Sequence, residues 1–344
     1  MKIKTYIYIL SIFGAVFLLA SSIKDFTSPK EVVDNKINGV NFVAPMNEIG
    51  IQNLTSLNRI NANWIAVIPY AYTPKDESAV YFYHEHPHWW GEGVEGAMAT
   101  IVMAKKLGIK VMLKPQVWVI GDGWPGEFEA TSEEDWKKWE IDYSNYILTY
   151  AKLCDSLEVD LLCIGTEYRQ AVIKRSAFWT HLIKEVRKYY SGKLTYAANW
   201  DNYENVDFWN EVDFIGIDAY FPLSPDKTPS VHDLMQSWSE QSEQLEDFCN
   251  TYKMKAIFTE YGYQSCDYSA YKQWENKGNN EVNLLAQQNA YEALYRSIWN
   301  QEWMLGGFLW KWHAHDDKAG GSENDRFTPQ NKPAEKIIQQ YYSN

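Results

Sequence analysis

Short apolar runs alternate with longer amphipathic segments along most of the chain. Each run is nearly continuous in apolar residues, the pattern of strands buried on both faces of a parallel sheet. The runs are GVNFVAP (39–45), WIAVIPYAY (64–72), KVMLKPQVW (110–118), LLCIGTE (161–167), KLTYAANW (193–200), FIGIDAY (214–220), KAIFTEYG (255–262) and GFLWKW (307–312). They predict eight strands.

The segments between the runs predict helices over 94–107, 132–157, 176–190, 230–251 and 283–303. Ser132 precedes two glutamates and an aspartate, which is typical of an N-cap and first helical turn. Eight strand–helix units in roughly 300 residues predict an α/β fold, a single-domain closed (β/α)8 TIM barrel. A doubly wound open sheet is the alternative, but no G-x-G-x-x-G follows the first run, so its usual nucleotide fingerprint is missing.

Residues 1–22 have the layout of a secretory signal peptide. A basic MKIK head precedes an apolar run, IYILSIFGAVFLLA (7–20), and small residues follow it. The run is shorter than the roughly 20 residues of a spanning helix. We therefore expect a secreted or periplasmic protein, with an uncleaved signal anchor in the membrane as the alternative. Residues 23–37 form a polar linker, and 38–344 form the folded domain.

Composition limits the classes of binding partner that we expect. The net charge of −13 repels phosphate backbones and anionic lipid, so we expect no nucleic-acid partner. The chain has 16 Trp and 24 Tyr, more than a core needs, so we expect many of these rings near the surface, where flat rings stack on sugars. Cys154, Cys163, Cys249 and Cys266 show no C-x-x-C spacing and indicate no zinc module. We expect a monomer without a cofactor, and a Cys249–Cys266 pair stays open.

Two glutamates stand at the ends of apolar runs. Glu167 ends the fourth run and Glu260 lies near the end of the seventh, and barrel active sites form at the carboxyl ends of strands. Such a carboxylate costs free energy unless it is paired or used. Glycoside hydrolysis needs two facing carboxylates, one to protonate the leaving oxygen and one to attack or to activate water. A salt bridge to Lys114 or Arg169 is the alternative explanation for either residue.

Alternation along the strands predicts which residues share a face with each glutamate. Glu167 would lie with Cys163 and Gly165, and Glu260 with Ala256 and Phe258. Both sets would face the barrel interior.

Acids at the ends of strands four and seven are similar to those of the retaining (β/α)8 glycosidases, a clan that includes cellulases, mannanases and β-galactosidases. Within that clan the chain resembles glycoside hydrolase family 113, whose characterised members are endo-β-1,4-mannanases. The segments that resemble it are GIKVMLKPQVW (108–118), IGTEY (164–168), LTYAANWDNYENVDFWNEVDFIGIDAYFPL (194–223) and FTEYGYQS (258–265). The resemblance implies cleavage of β-1,4-mannosidic bonds in mannan-type polysaccharides by double displacement, with Glu167 as acid/base and Glu260 as nucleophile, about 5–5.5 Å apart.

The same resemblance implies roles for other residues. Tyr220 would hydrogen-bond and orient the nucleophile, and Trp310 would lie under the sugar at the cleavage point. Many clan members have Asn before the acid/base, where this chain has Thr166. Asn199, at the end of the fifth strand, is therefore our candidate donor to the sugar 2-hydroxyl.

Several residues could bind substrate or serve packing. Lys114 lies in an apolar run and needs a partner, either a catalytic-site carboxylate or substrate hydroxyls. Asp218 would hold the acid/base or a sugar hydroxyl, or would pair with Lys114. Trp118, Trp124 and Trp200 end or follow strands and could be subsite walls or ordinary packing.

The segment YHEHPHWWGEG (83–93) carries histidines at positions 84, 86 and 88. They suggest a metal-dependent hydrolase, but such barrels draw ligands from several strand ends, and the first run has no histidine. Alternate residues of an extended loop also point to opposite sides. We instead predict Trp89 or Trp90, with Trp90 preferred, as a sugar-stacking wall. Another β-glycan as substrate, or a barrel that binds carbohydrate without turnover, stays open, although both glutamates are present.

Overall fold

Parallel strands close into a barrel in the computed structural model of the chain, which describes residues 36–82, 89–121, 123–275 and 280–343. The strands are β1 (Ile37–Phe42), β2 (Trp64–Val67), β3 (Tyr70–Pro74), β4 (Lys110–Leu113), β5 (Gln116–Ile120), β6 (Leu161–Thr166), β7 (Lys193–Asn199), β8 (Phe214–Asp218), β9 (Ala256–Tyr261) and β10 (Met304–Trp312). Around the barrel the order is β1, β2, β4, β6, β7, β8, β9 and β10, and β10 pairs with β1. The predicted (β/α)8 fold is confirmed.

Two of the predicted runs each form two strands instead of one. The breaks fall at Pro69, between β2 and β3, and near Pro115, between β4 and β5. Proline has no backbone N–H to donate to a ladder, so it interrupts a central strand. Beyond the breaks, β3 and β5 pair with each other in a separate two-stranded parallel sheet. This small sheet continues from the carboxyl ends of two barrel strands and brings their side chains toward the barrel mouth.

The α-helices between the strands lie where the amphipathic segments predict them, with additions. They are α1 (Val94–Lys106), α2 (Glu133–Ser156), α3 (Arg169–Lys174), α4 (Ser176–Arg187), α5 (Val231–Tyr252), α6 (Leu284–Leu294) and α7 (Pro333–Tyr342). Ser132 caps α2 by accepting a hydrogen bond from the backbone N–H of Asp135. The predicted helix 283–303 is shorter, because α6 passes into a π-helical turn, Tyr295–Trp299. A 3₁₀ helix, Ile51–Ile60, follows β1.

The described core has an inner and an outer part. The inner cluster fills the barrel with residues such as Trp64, Met112 and Phe308. The larger outer cluster lies between strands and helices and is rich in aromatic rings, including Trp139 and Trp179, which are wholly buried. Many tryptophans are buried because the helix layer uses them as packing, whereas Trp89, Trp118 and Trp274 are exposed, so the expectation of many rings near the surface is confirmed only in part.

Other sequence-based expectations have mixed outcomes. All four cysteines are buried and free, so Cys249 and Cys266 do not pair. In the described ranges no helix is long and apolar enough to cross a membrane. The predicted signal peptide, nearly all of the linker, and the histidines at positions 84, 86 and 88 lie outside the described residues.

Candidate active site

Glu167 follows directly after β6 at an irregular point of the barrel. The Cα partners along β6 and β7 advance from Cys163–Thr195 to Thr166–Ala197, so β6 carries one extra residue. Glu167 itself has a φ of 55°, in the left-handed region that non-glycine residues rarely adopt. Bulges and such backbone conformations are concentrated next to active sites, where they re-aim a side chain.

The extra residue overturns the alternation predicted for this strand. Cys163 belongs to the inner cluster. A Cβ placed on Gly165, however, would lie 2.9 Å from side-chain atoms of Trp179 and Tyr143, which belong to the outer cluster. Gly165 therefore faces the helices, and Glu167 does not lie on a regular face with it.

The same correction applies to β9. Ala256 and Phe258 belong to the outer cluster, not to the barrel interior. The Cα partners then shift from Ile217–Phe258 to Asp218–Glu260, which again adds a residue on β9. This second irregularity returns Glu260 to the barrel mouth, so both glutamates depend on a break in strand pairing.

Three donors meet the carboxylate of Glu260, which is only 6% exposed. Lys114 Nζ and Gln116 Nε2 both donate to Oε1, the latter over 2.9 Å. The hydroxyl of Tyr220 donates to Oε2 over 2.7 Å. A cation and two neutral donors around one carboxylate suit its ionised form, because an ionised carboxylate only accepts.

Lys114 also faces a second carboxylate in a wholly buried network. Its Nζ lies 3.5 Å from Oδ1 of Asp218, and Thr259 Oγ1 donates to the same oxygen over 2.7 Å. Burial, and then the charge of Glu260, raise the pKa of Asp218 well above its usual value, while Lys114 opposes them. Burial alone lowers the pKa of Lys114, but Asp218 and Glu260 outweigh it and raise the pKa. Asp218 is thus placed against Lys114.

Glu167 has a different environment. Its Oε2 accepts a hydrogen bond from the indole N–H of Trp124 over 2.5 Å. Burial, and then the negative charge of Glu260, raise the pKa of Glu167 to about 7, against the lowering effect of Trp124. The guanidinium of Arg169 lies 4.8 Å from the Trp124 ring centroid and pairs with Asp201 over 3.4 Å. Glu167 is therefore held as an acid near neutral pH, whereas the carboxylate of Glu260 is surrounded by hydrogen-bond donors.

A sequence model described as Glycoside Hydrolase Family 113 matches residues 46–332 of the chain. The chain belongs to this family. It is accordingly a glycoside hydrolase. No curated protein sequence matches it.

Solved structures agree with the family assignment. A GH113 β-1,4-mannanase, solved as a complex, shares 26% identity with a TM-score of 0.77, covering 90% of this chain and 99% of that one. The GH113 β-mannanase of Alicyclobacillus acidocaldarius in complex with ManMIm shares 24% identity with a TM-score of 0.79, covering 90% and 98%. A β-glucuronidase of Ruminococcus gnavus shares 12% identity with a TM-score of 0.58, covering 90% and 50%, which shows likeness of fold alone.

An aromatic cleft lies close to Glu260 in this family 113 enzyme. A cavity of about 400 Å³ is lined by Tyr70, Trp89, Trp118 and Trp310 among others. Glu260 lies close enough that its charge, after burial, raises the pKa of Tyr70. Trp118 is 60% exposed at the rim. Trp118 and Trp310 thus line the same cleft, and their contact with substrate stays a prediction.

Trp90 does not lie in this cleft. It is half-buried and packs against the outer cluster, because the backbone of its 3₁₀ turn is hydrogen-bonded to the loop after β1: Trp90 N–H donates to Met46 and Gly91 N–H to Pro45. Its neighbour Trp89 is 44% exposed and lines the cavity. Of the two predicted tryptophans, Trp89 therefore lines the cleft and Trp90 packs against the protein, and the sugar contact of either ring stays a prediction.

Asn199 and Trp200 lie at the end of β7, each with a protein partner. Asn199 donates one of its two amide N–H groups to Oδ1 of Asp201 over 2.9 Å. Trp200 stacks on Trp274, with ring centroids 5.8 Å apart. Both residues are partly exposed, and Trp274 is 53% exposed. Trp200 and Trp274 form a second aromatic surface.

Sequence reasoning missed the hydrogen bonds that Gln116 and Trp124 donate to the two carboxylates. Gln116 stands two residues after Lys114, and alternation could have placed both on one side. Trp124 lies in a loop outside any periodic pattern, so no local signal connects it to Glu167. Among the described residues no group of three metal-ligating side chains could hold a metal ion.

Proposed function

We propose that this family 113 enzyme is a retaining β-1,4-mannanase in which Glu167 is the acid/base and Glu260 the nucleophile. The contrast between the two carboxyl environments carries the proposal. Glu260 receives donors on both oxygens, whereas burial and Glu260 hold the pKa of Glu167 at about 7. Environments that separate two carboxyl groups in this way assign the acid and the nucleophile.

In the first step an oxygen of Glu260 attacks the anomeric carbon while Glu167 protonates the departing glycosidic oxygen. The bond to the leaving sugar breaks, and a glycosyl ester forms on Glu260. In the second step Glu167, now ionised, takes a proton from water, which attacks the same carbon and frees Glu260. Net retention of configuration follows from two inversions.

Mannan as the substrate is supported by the family match and by the two solved GH113 mannanases. Hydrolysis of mannan, glucomannan, xylan and cellulose should be compared by release of reducing ends. We expect cleavage of mannan and glucomannan, and several products from mannohexaose if action is endo. Preferential cleavage of xylan or cellulose would overturn the mannan assignment.

The residue roles have a separate test. Glu167→Ala should cleave an aryl β-mannoside with a good leaving group and, with azide added, should give the β-mannosyl azide. Glu260→Ala should give no β-azide product under the same conditions. Mannan hydrolysis that survives in both Glu167→Gln and Glu260→Gln would refute the assignment.

We further propose that the enzyme is exported, since a polysaccharide substrate lies outside the cell and residues 1–22 have the layout of a signal peptide. N-terminal sequencing of the protein recovered from the periplasm or medium tests this. A mature chain beginning near residue 23 is expected, and an intact Met1 in the cytoplasm would contradict it.

A further inference from the structure

A second cavity, of about 720 Å³, adjoins the aromatic cleft. The two share Val43, Ala44, Trp89, Trp310 and Lys311 as a common wall. We call this second cavity the basic lobe. It is a continuation of the substrate cleft past Trp310.

The charge of the basic lobe is opposite to that of the whole chain. Lys311, Lys318 and Arg326 line it, together with His313 and His315. Among the described residues that line it there is no aspartate and no glutamate. The chain as a whole carries 45 acidic and 32 basic side chains, so a local excess of cations in the substrate cleft requires an explanation.

Two of the three cations, Lys311 and Lys318, have no ion-pair partner within the described part of the chain. The third, Arg326, pairs there only with its neighbour Asp325, over 3.2 Å. Of the two aspartates between His315 and Lys318, Asp316 is already bound by Arg59 and Gln330, and Asp317 does not line the lobe. The lobe therefore keeps the positive charges of Lys311 and Lys318.

Lys311 is the most informative of the three. It is half-buried next to Trp310, with Nζ 5.4 Å from the centroid of that ring. Burial lowers the pKa of Lys311, and Glu260 opposes this. A partly buried cation costs free energy unless an anion compensates it, and an anion bound in the lobe would do so.

We propose that the basic lobe binds an anionic group, a carboxylate or a sulfate ester, on a sugar of the mannan chain. The inference rests on the proposed mannanase function and makes the substrate an acidic mannan. Trp89, Trp310 and Phe327 supply apolar surface for the sugar ring, and Lys311, Lys318 and Arg326 supply cations for its charged substituent. A neutral mannan leaves those cations without a ligand.

The test compares three probes: mannohexaose, mannohexaose with on average one C6 hydroxyl oxidised to a carboxylate, and mannohexaose with one C6 sulfate ester. We expect kcat/KM to be higher for at least one charged probe than for the neutral one at low salt, and the ratio to fall as salt is raised. The net charge of −13 would by itself disfavour both charged probes. The charged probe that is preferred identifies the anion.

Variants then locate the effect. Lys318→Ala should lower the charged-to-neutral ratio about fivefold, and Lys311→Met about tenfold. Lys255→Ala is the matched control, because Lys255 precedes β9 at the opposite end of the barrel and is exposed. It should leave the ratio unchanged.

The outcomes separate the two proposals. If mannohexaose is cleaved but no charged probe is preferred, or if Lys318→Ala and Lys311→Met leave the ratio unchanged, the basic lobe is not an anion site and the mannanase proposal stands. If neither mannohexaose nor a charged probe is cleaved, the proposed function fails. Calorimetry then tests whether the basic lobe binds anions, by measuring the affinity of the charged probes for Glu260→Gln with and without Lys318→Ala. Weaker binding with Lys318→Ala supports the anion site, and equal binding overturns it.

Discussion

The hydroxyl of Tyr220 donates a hydrogen bond to Oε2 of Glu260 over 2.7 Å. Lys114 and Gln116 occupy the other oxygen, so the donors clamp the carboxylate from both ends. A nucleophile must release part of this negative charge as it bonds to carbon. For the nucleophile role that we propose for Glu260, these donors would fix the direction of attack at the expense of some nucleophilicity, and each can be tested separately.

Tyr220→Phe should reduce kcat/KM for mannohexaose about 10- to 100-fold, because a hydrogen bond to a charged group is worth about 1.5–3 kcal/mol. Steady-state kinetics measure the loss. Tyr189→Phe is the control, since Tyr189 is 43% exposed on the surface. Equal activity of the two variants would show that the Tyr220 bond does not orient Glu260.

Trp124→Phe should shift the basic limb of the pH–kcat/KM profile to higher pH. The indole N–H stabilises ionised Glu167 and so lowers a pKa that burial and Glu260 raise to about 7. Removing the donor lets that pKa rise, and the protonated acid persists to higher pH. Trp136→Phe, in the aromatic outer core, should leave the limb in place. A shift to lower pH in Trp124→Phe would contradict the role of the indole.

Glu167→Gln should stabilise the fold at pH 8 but not at pH 4. The pKa of Glu167 is about 7 in the folded chain against an ordinary 4.5, so the folded state binds the proton more tightly. Stability is thus lost as pH rises from about 4.5 to 7, by about 1–3 kcal/mol. Gln cannot ionise and avoids the loss. Urea unfolding at both pH values measures the difference in free energy of unfolding between Glu167→Gln and the unmutated protein. Glu243→Gln, on the exposed side of α5, is the control.

Lys114 and Asp218 should behave as one unit in a double-mutant cycle. Lys114→Met alone leaves Asp218 and Glu260 buried without their cation, which should cost about 3–5 kcal/mol. Asp218→Asn in the same chain removes one of those charges, so the double variant should be more stable than the sum of the single effects. Urea unfolding of all four proteins gives the coupling energy. Additive effects would mean that the 3.5 Å contact contributes no coupling.

The sequence was sufficient to locate the eight barrel strands and to place the two glutamates at strand ends, because apolar runs and their ends are local features. It was not sufficient for the direction of Glu167 and Glu260. Their orientation depends on register shifts between β6 and β7 and between β8 and β9, and each shift involves residues far apart in the chain. Alternation assumes regular pairing, so it fails wherever a bulge is present.

The breaks at Pro69 and Pro115, unlike the register shifts, can be predicted from local sequence. Pro69 and Pro115 stand at corresponding points of neighbouring runs, and the missing N–H of proline predicts the breaks that form β3 and β5. The rings were harder to place, because composition counts tryptophans but cannot separate Trp139, wholly buried, from Trp118, 60% exposed. That distinction depends on which helix face meets the barrel.

Trp89 and Trp90 form a matched pair for the last prediction. Trp89→Ala should raise KM about fivefold for mannohexaose and less for mannotriose, because an exposed ring in the cleft stacks on an outer sugar at about 1 kcal/mol. Trp90→Ala should instead lower the free energy of unfolding by about 2 kcal/mol, because that half-buried ring packs on the outer cluster. Kinetics on both oligosaccharides and urea unfolding distinguish the two. The reverse pattern, with Trp90→Ala selective for the long substrate and Trp89→Ala destabilising, would mean that Trp90 is the wall after all.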